Sequence, residues 1–73
     1  MIKPHILFDN NKLSIKIKNF VKKKLGHYAI AKSDLIVVIG GDGFMLASLK
    51  KYYKYNKKFY GINSGNYGFL MNK

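Results

Sequence analysis

Residues 35–43, Leu-Ile-Val-Val-Ile-Gly-Gly-Asp-Gly, constrain what this chain can fold into more than any other stretch. Five apolar residues, mostly branched at Cβ, lead straight into glycine. A run of this kind suits a strand buried on both faces, as in a parallel sheet. Parallel sheets of α/β proteins bind ligands at the carboxyl ends of their strands. Here that end carries Gly40-Gly41-Asp42-Gly43, one carboxylate among three residues without a Cβ. A ligand could approach such a backbone closely, with one acid directed at it.

The remaining pattern supplies the other elements of an α/β unit. His5-Ile6-Leu7-Phe8 can open a sheet. Asn10-Asn11 suits a turn and helix cap. Leu13, Ile17, Phe20, Val21 and Leu25 recur at helical spacing, and Gly26 is placed to end that helix in a left-handed conformation. Residues 28–31 read as a short second strand or as a connection. After the glycine motif, Met45, Leu49, Tyr52 and Tyr53 are spaced as one helix face, and Asn56 can terminate it. Residues 58–63 read as a further strand and residues 64–73 as a loop. The order β-α-(β)-β-α-β implies an α/β fold: a small parallel sheet with flanking helices and right-handed crossovers. Such a sheet alone would leave a face poorly covered, so the chain is expected to be the first part of a larger fold.

With 73 residues the chain allows one small domain with a marginal core. It has no cysteine, which excludes disulfides and thiolate metal sites and fits a cytoplasmic origin. No secretory signal is visible, and no apolar run approaches the ~20 residues that cross a bilayer, so no membrane role is expected. The formal charge is +11, and all 14 basic residues are lysine. Without arginine there is no bidentate fork for phosphate or base edges, which argues against a nucleic-acid partner. His5 and His27 have no acid or cysteine at ligand spacing and read as non-catalytic.

The glycine motif has a definite chemistry at the mouth of a strand and before a helix. Helix N–H groups and the dipole suit phosphate oxygens, and glycine lets them reach the ligand. A carboxylate there would repel phosphate, so Asp42 reads as the acceptor of a hydroxyl proton or as a Mg²⁺ contact. These are tasks that phosphoryl transfer needs besides positioning. The bland alternative is an Asp-Gly turn. The glycine spacing matches neither the dinucleotide fingerprint nor a P-loop. Residues 61–70, Gly-Ile-Asn-Ser-Gly-Asn-Tyr-Gly-Phe-Leu, also follow a strand, so their loop should open on the same edge as Asp42. Asn63 and Ser64 offer hydrogen bonds there, and Phe69 offers an aromatic face.

Together, Gly40-Gly41-Asp42-Gly43-Phe44-Met45-Leu46 and Gly61-Ile62-Asn63 with Gly65 and Gly68-Phe69-Leu70 resemble the amino-terminal part of the bacterial NAD kinases. The resemblance implies a Rossmann-like domain and transfer of a phosphoryl group from ATP, or in some members polyphosphate, to the 2′-hydroxyl of the adenosine ribose of NAD. It implies Asp42 as general base, Asp42 and Gly43 as NAD contacts, Phe69 as a wall of the nucleotide site, and Gly40 and Gly41 as shapers of the phosphate-donor loop. Asn63 joins the nucleotide-binding set. No protein metal ligand is assigned; Mg²⁺ or another divalent cation would be held through the phosphates. Many members carry Thr where this chain has Phe44. The family commonly forms homo-oligomers. Its members are several times longer, and a β-rich second domain supplies much of the NAD site, including an Asn-Glu or Asn-Asp pair. Residues 1–73 have neither, so the chain is expected to be a partial amino-terminal domain, inactive alone. Two alternatives remain open: a lipid kinase of the diacylglycerol type, which shares the first motif, and a basic module that binds nucleic acid.

Overall fold

A computed structural model describes residues 2–64 and 70–72. The first three strands are β1 (Pro4–Phe8), β2 (Leu35–Gly40) and β3 (Lys58–Asn63), and the two helices are α1 (Lys12–Leu25) and α2 (Asp42–Tyr52). The three strands pair in parallel, with Ile6 opposite Val37 and Val37 opposite Tyr60. A fourth strand, β4 (Leu70–Asn72), pairs antiparallel with β3 and gives the sheet the order β1-β2-β3-β4. The tail expected to be a loop thus returns to the sheet. Three residues are too few for a pairing to be legible in side-chain alternation.

The position of the optional second strand holds only a 3₁₀ turn, Ile30–Lys32. The segment before it still runs along the outer edge of β1, where the Tyr28 N–H donates to the Pro4 carbonyl at 2.9 Å. The chain therefore leaves β1 through α1 toward that outer edge, doubles back to β2, and advances through α2 to β3. Opposite directions of travel require right-handed crossovers to lie on opposite faces. The side chains agree. Val37, Ile39 and Ile6 form a buried cluster against Ile17 and Val21 of α1. Val38, from the other face of β2, lines a cavity with Met45, Leu46 and Leu49 of α2. With a helix on each face, Ile36 to Ile39 are all buried, and alternation is absent from β2 for that reason.

Both helices bury a narrower stripe than their apolar periodicity predicts. Ser14 is the buried residue of α1, while Leu13, Phe20 and Leu25 are exposed. Ser48 is the buried residue of α2, while Leu49 and Tyr53 are exposed. A small side chain at the closest approach lets each helix lie near the sheet, and the larger apolar residues are displaced to the flanks. The ends of α1 fall at the expected residues, but Gly26 is not in the expected left-handed conformation. The Ser14 N–H donates to Asn11 Oδ1 at 2.8 Å, and Gly26 closes the helix at φ 81° and ψ 179°. That backbone is extended at positive φ rather than left-handed helical, a region essentially reserved for glycine. Asn56 ends α2's 3₁₀ extension, Tyr53–Tyr55, in the left-handed helical region.

The two histidines act along the β1 edge. The Ile6 N–H donates to His27 Nδ1 at 3.1 Å, and His5 Nδ1 faces the Tyr28 carbonyl at 2.8 Å. The Tyr28 oxygen can only accept, so His5 Nδ1 carries a proton, whereas His27 Nδ1 must not. Burial, then the charges of His5, Lys22 and Lys18, hold the His27 pKa below its ordinary 6.5. Neutral His27 is thus the native form. Its contribution to stability is complete above pH 6.5 and declines as pH falls through the lowered value, because the unfolded chain then binds more protons. The urea midpoint is expected to be lower at pH 5.5 than at pH 7.5. His27→Gln should flatten that difference; an unchanged difference would remove the assignment.

Candidate active site

Three strand ends and two helix starts meet at the carboxyl edge of the sheet. β2 ends at Gly40, a single residue intervenes, and α2 begins at Asp42. Of the glycine motif, only Gly41 lies between strand and helix, acting as the helix cap without a side-chain hydrogen bond. Asp42 occupies the first helical position, where a carboxylate is favoured by the helix dipole. The Met45 N–H already donates to the Gly41 carbonyl at 2.9 Å. The amides of residues 42–44 precede it and have no intrahelical acceptor, as at any helix start.

Asn63 lies beside Asp42 although 21 residues separate them. It ends β3 in register with Gly40 and donates Nδ2–H to Asp42 Oδ1 at 2.8 Å. A carboxylate only accepts, so the amide must present its nitrogen here. The Asp42 Oδ2 has no protein partner among the described residues. Asp42 is exposed and Asn63 is buried. One carboxylate oxygen is held by Asn63, and the exposed carboxylate keeps a second oxygen able to accept a proton from a bound hydroxyl. An apolar cavity of about 310 Å³ opens next to it, lined by Val38, Met45, Leu46, Leu49 and Phe59, with Asp42 and Gly61 at its wall.

The glycines differ in what they do. A Cβ on Gly40 would lie 2.6 Å from the Phe44 ring, so the chain itself demands glycine there. At Gly41 and Gly43 a Cβ would meet nothing within 4 Å, and neither has positive φ. Those two are open toward the site, not needed by the fold. Gly40→Ala is expected to lower stability by about 1–3 kcal/mol through overpacking. Gly43→Ala should raise it by up to ~1 kcal/mol, the helix propensity of alanine over glycine. Thermal melts of the two variants moving in the same direction would contradict this division.

Of the residues singled out in the sequence, Gly40, Gly41, Asp42, Gly43 and Asn63 come together at this edge. Phe69 lies outside the described residues. Sequence reasoning missed Ser14, fully buried in the first turn of α1, whose Oγ is 2.6 Å from Ser64 Oγ. The available signal was a serine on the helix face that should have been apolar. Among the described residues no three His, Cys, Asp or Glu side chains converge. No helix of the described residues is long and apolar enough to cross a membrane.

The chain matches known proteins in sequence. Residues 5–72 match the family model described as the ATP-NAD kinase N-terminal domain. The chain is 39% identical over 67 residues to the NAD kinase of Rickettsia peacockii (strain Rustic), covering 92% of this chain and 26% of the relative. It is 38% identical over 69 residues to the NAD kinase of Brucella suis biovar 1 (strain 1330), covering 94% of this chain and 27% of the relative. The chain thus spans about a quarter of the length of the curated relatives it matches. No solved structure matches it significantly. Neither the lipid-kinase nor the nucleic-acid reading gains support from these matches.

Proposed function

This chain belongs to the NAD kinase family, and on that premise we propose that its carboxyl edge is the proton-accepting part of a site that phosphorylates the adenosine-ribose 2′-hydroxyl of NAD. In this reading the 2′-oxygen attacks the γ-phosphorus of ATP. The bond from that phosphorus to ADP breaks, and the hydroxyl proton passes to the second oxygen of Asp42. Gly41 and Gly43 leave the backbone open for nucleotide contact, and Phe69 walls the nucleotide. Magnesium would be held through the phosphates of ATP, whose charge it would offset. The reaction is cytoplasmic, and residues beyond those of this chain complete the NAD site. The observation that carries the reading is the Asn63–Asp42 hydrogen bond, which joins the two motifs of the resemblance at one strand edge.

The test is a hybrid in which residues 1–72 replace the matching part of the Rickettsia peacockii NAD kinase. It is expected to convert NAD and ATP to NADP⁺, while the 73-residue chain alone does not. A folded hybrid that leaves NAD untouched, or that phosphorylates diacylglycerol instead, would overturn the function. Turnover by the chain alone would overturn its dependence on further residues.

A further inference from the structure

Asn63 is the last residue of β3 and Ser64 directly follows it; successive residues of extended chain project to opposite faces of a sheet. Asn63 reaches Asp42 on the α2 face. Ser64 continues the ladder, donating its N–H to the Gly40 carbonyl at 3.0 Å, and its hydroxyl meets Ser14 of α1 at 2.6 Å. Both hydroxyls are buried, Ser14 at 0% and Ser64 at 8% exposure. Ser14 is itself fixed, through its N–H to the Asn11 side chain.

Serine is a poor occupant for the buried face of a helix. It competes with the helix for backbone hydrogen bonds, and its hydroxyl is costly to bury without a partner. Alanine would pack there with neither drawback. What serine adds at position 14 is the bond to Ser64, across 50 residues of sequence.

We infer that Ser14 is a positioning residue for Asp42. Its hydroxyl pins Ser64 on one face of the sheet, and the pinned strand end holds the Asn63 amide against the Asp42 carboxylate on the other. The role rests on the function proposed above; the contact it predicts does not. Ser14 touches no reacting atom, and its effect travels through Ser64 and Asn63 alone.

The test is the Asn63 side-chain amide signal in nitrogen-15 spectra of the 73-residue chain, identified by its loss in Asn63→Ala. Asp42→Ala supplies the reference for a broken contact. In Ser14→Ala the Asn63 signal is expected to move toward that reference, with its hydrogen-exchange protection falling roughly tenfold, about the worth of one hydrogen bond. Ser64→Thr keeps the hydroxyl and should keep the parental signal. Should Ser14→Ala not fold, the double variant Ser14→Ala/Ser64→Ala strands no buried hydroxyl and gives the same readout. A parental Asn63 signal in either folded variant overturns the proposal, and so does failure of both to fold, since the pair is then merely structural. No turnover enters this measurement. An inactive hybrid with a shifted signal removes the function and keeps the pin; an active hybrid with an unmoved signal does the reverse.

Discussion

Asp42→Asn in the hybrid enzyme is expected to slow NADP⁺ formation by about 10²–10⁴-fold, the usual worth of a general base. This corresponds to about 3–5 kcal/mol of transition-state stabilisation. The substitution is chosen because it spares the surroundings. An asparagine carbonyl can still accept the bond that Asn63 Nδ2 gives Asp42 Oδ1 at 2.8 Å. What disappears is the capacity to take a proton, together with one negative charge at the start of α2. Loss of that charge should cost only about 0.3–1 kcal/mol of stability. The expected signature is therefore a large fall in kcat, little change in KM and a melting temperature within a few degrees of the parent. A fall of less than tenfold would show that the proton leaves by another route. A large fall in melting temperature would instead mark Asp42 as structural.

Ile39→Ala is expected to bring the chain close to unfolding. Ile39 is fully buried in the cluster with Ile6 and Val37 beneath α1. Truncating such a side chain costs about 2–5 kcal/mol, from lost transfer free energy and the cavity left behind. A domain of this size has about 4–11 kcal/mol in total. The melting temperature should drop by more than about 10 °C. Phe20→Ala is the contrasting control. Although aromatic and on the same helix-bearing face, Phe20 is 62% exposed and should change stability by no more than about 0.5 kcal/mol. Urea denaturation of both variants decides the matter. Equal midpoints would mean that the sheet interior is not where the stability lies.

The contrast between Ile39 and Phe20 also marks where periodicity stops being informative. Helical spacing places Phe20, Val21 and Ile17 on one face, but spacing carries no information on how wide a stripe the sheet can cover. Each sheet face here presents few strands, so of that spaced set Ile17 and Val21 pack against the cluster while Leu13, Phe20 and Leu25 do not. Of the two readings of residues 28–31, the connection is the one the structure adopts, for a related reason. Its apolar residues are compatible with a strand, but the Tyr28–Pro4 bond is followed by a 3₁₀ turn that redirects the chain to β2.

The local elements and the chemistry of the edge are legible along the chain. Continuous apolar residues made β2 a strand covered on both sides, Asn11 and Gly26 bounded α1, and glycine without side chains surrounded one acid. Those are short-range consequences of side-chain sterics and backbone hydrogen bonding, so they can be read in order along the chain. That Asn63 holds Asp42, that Ser14 meets Ser64, and that packing demands Gly40 but not Gly43 emerge from the folded chain alone. Each depends on strand register and on the face to which a helix returns. These are set by the cooperative burial of the whole core and not by any residue's immediate neighbours.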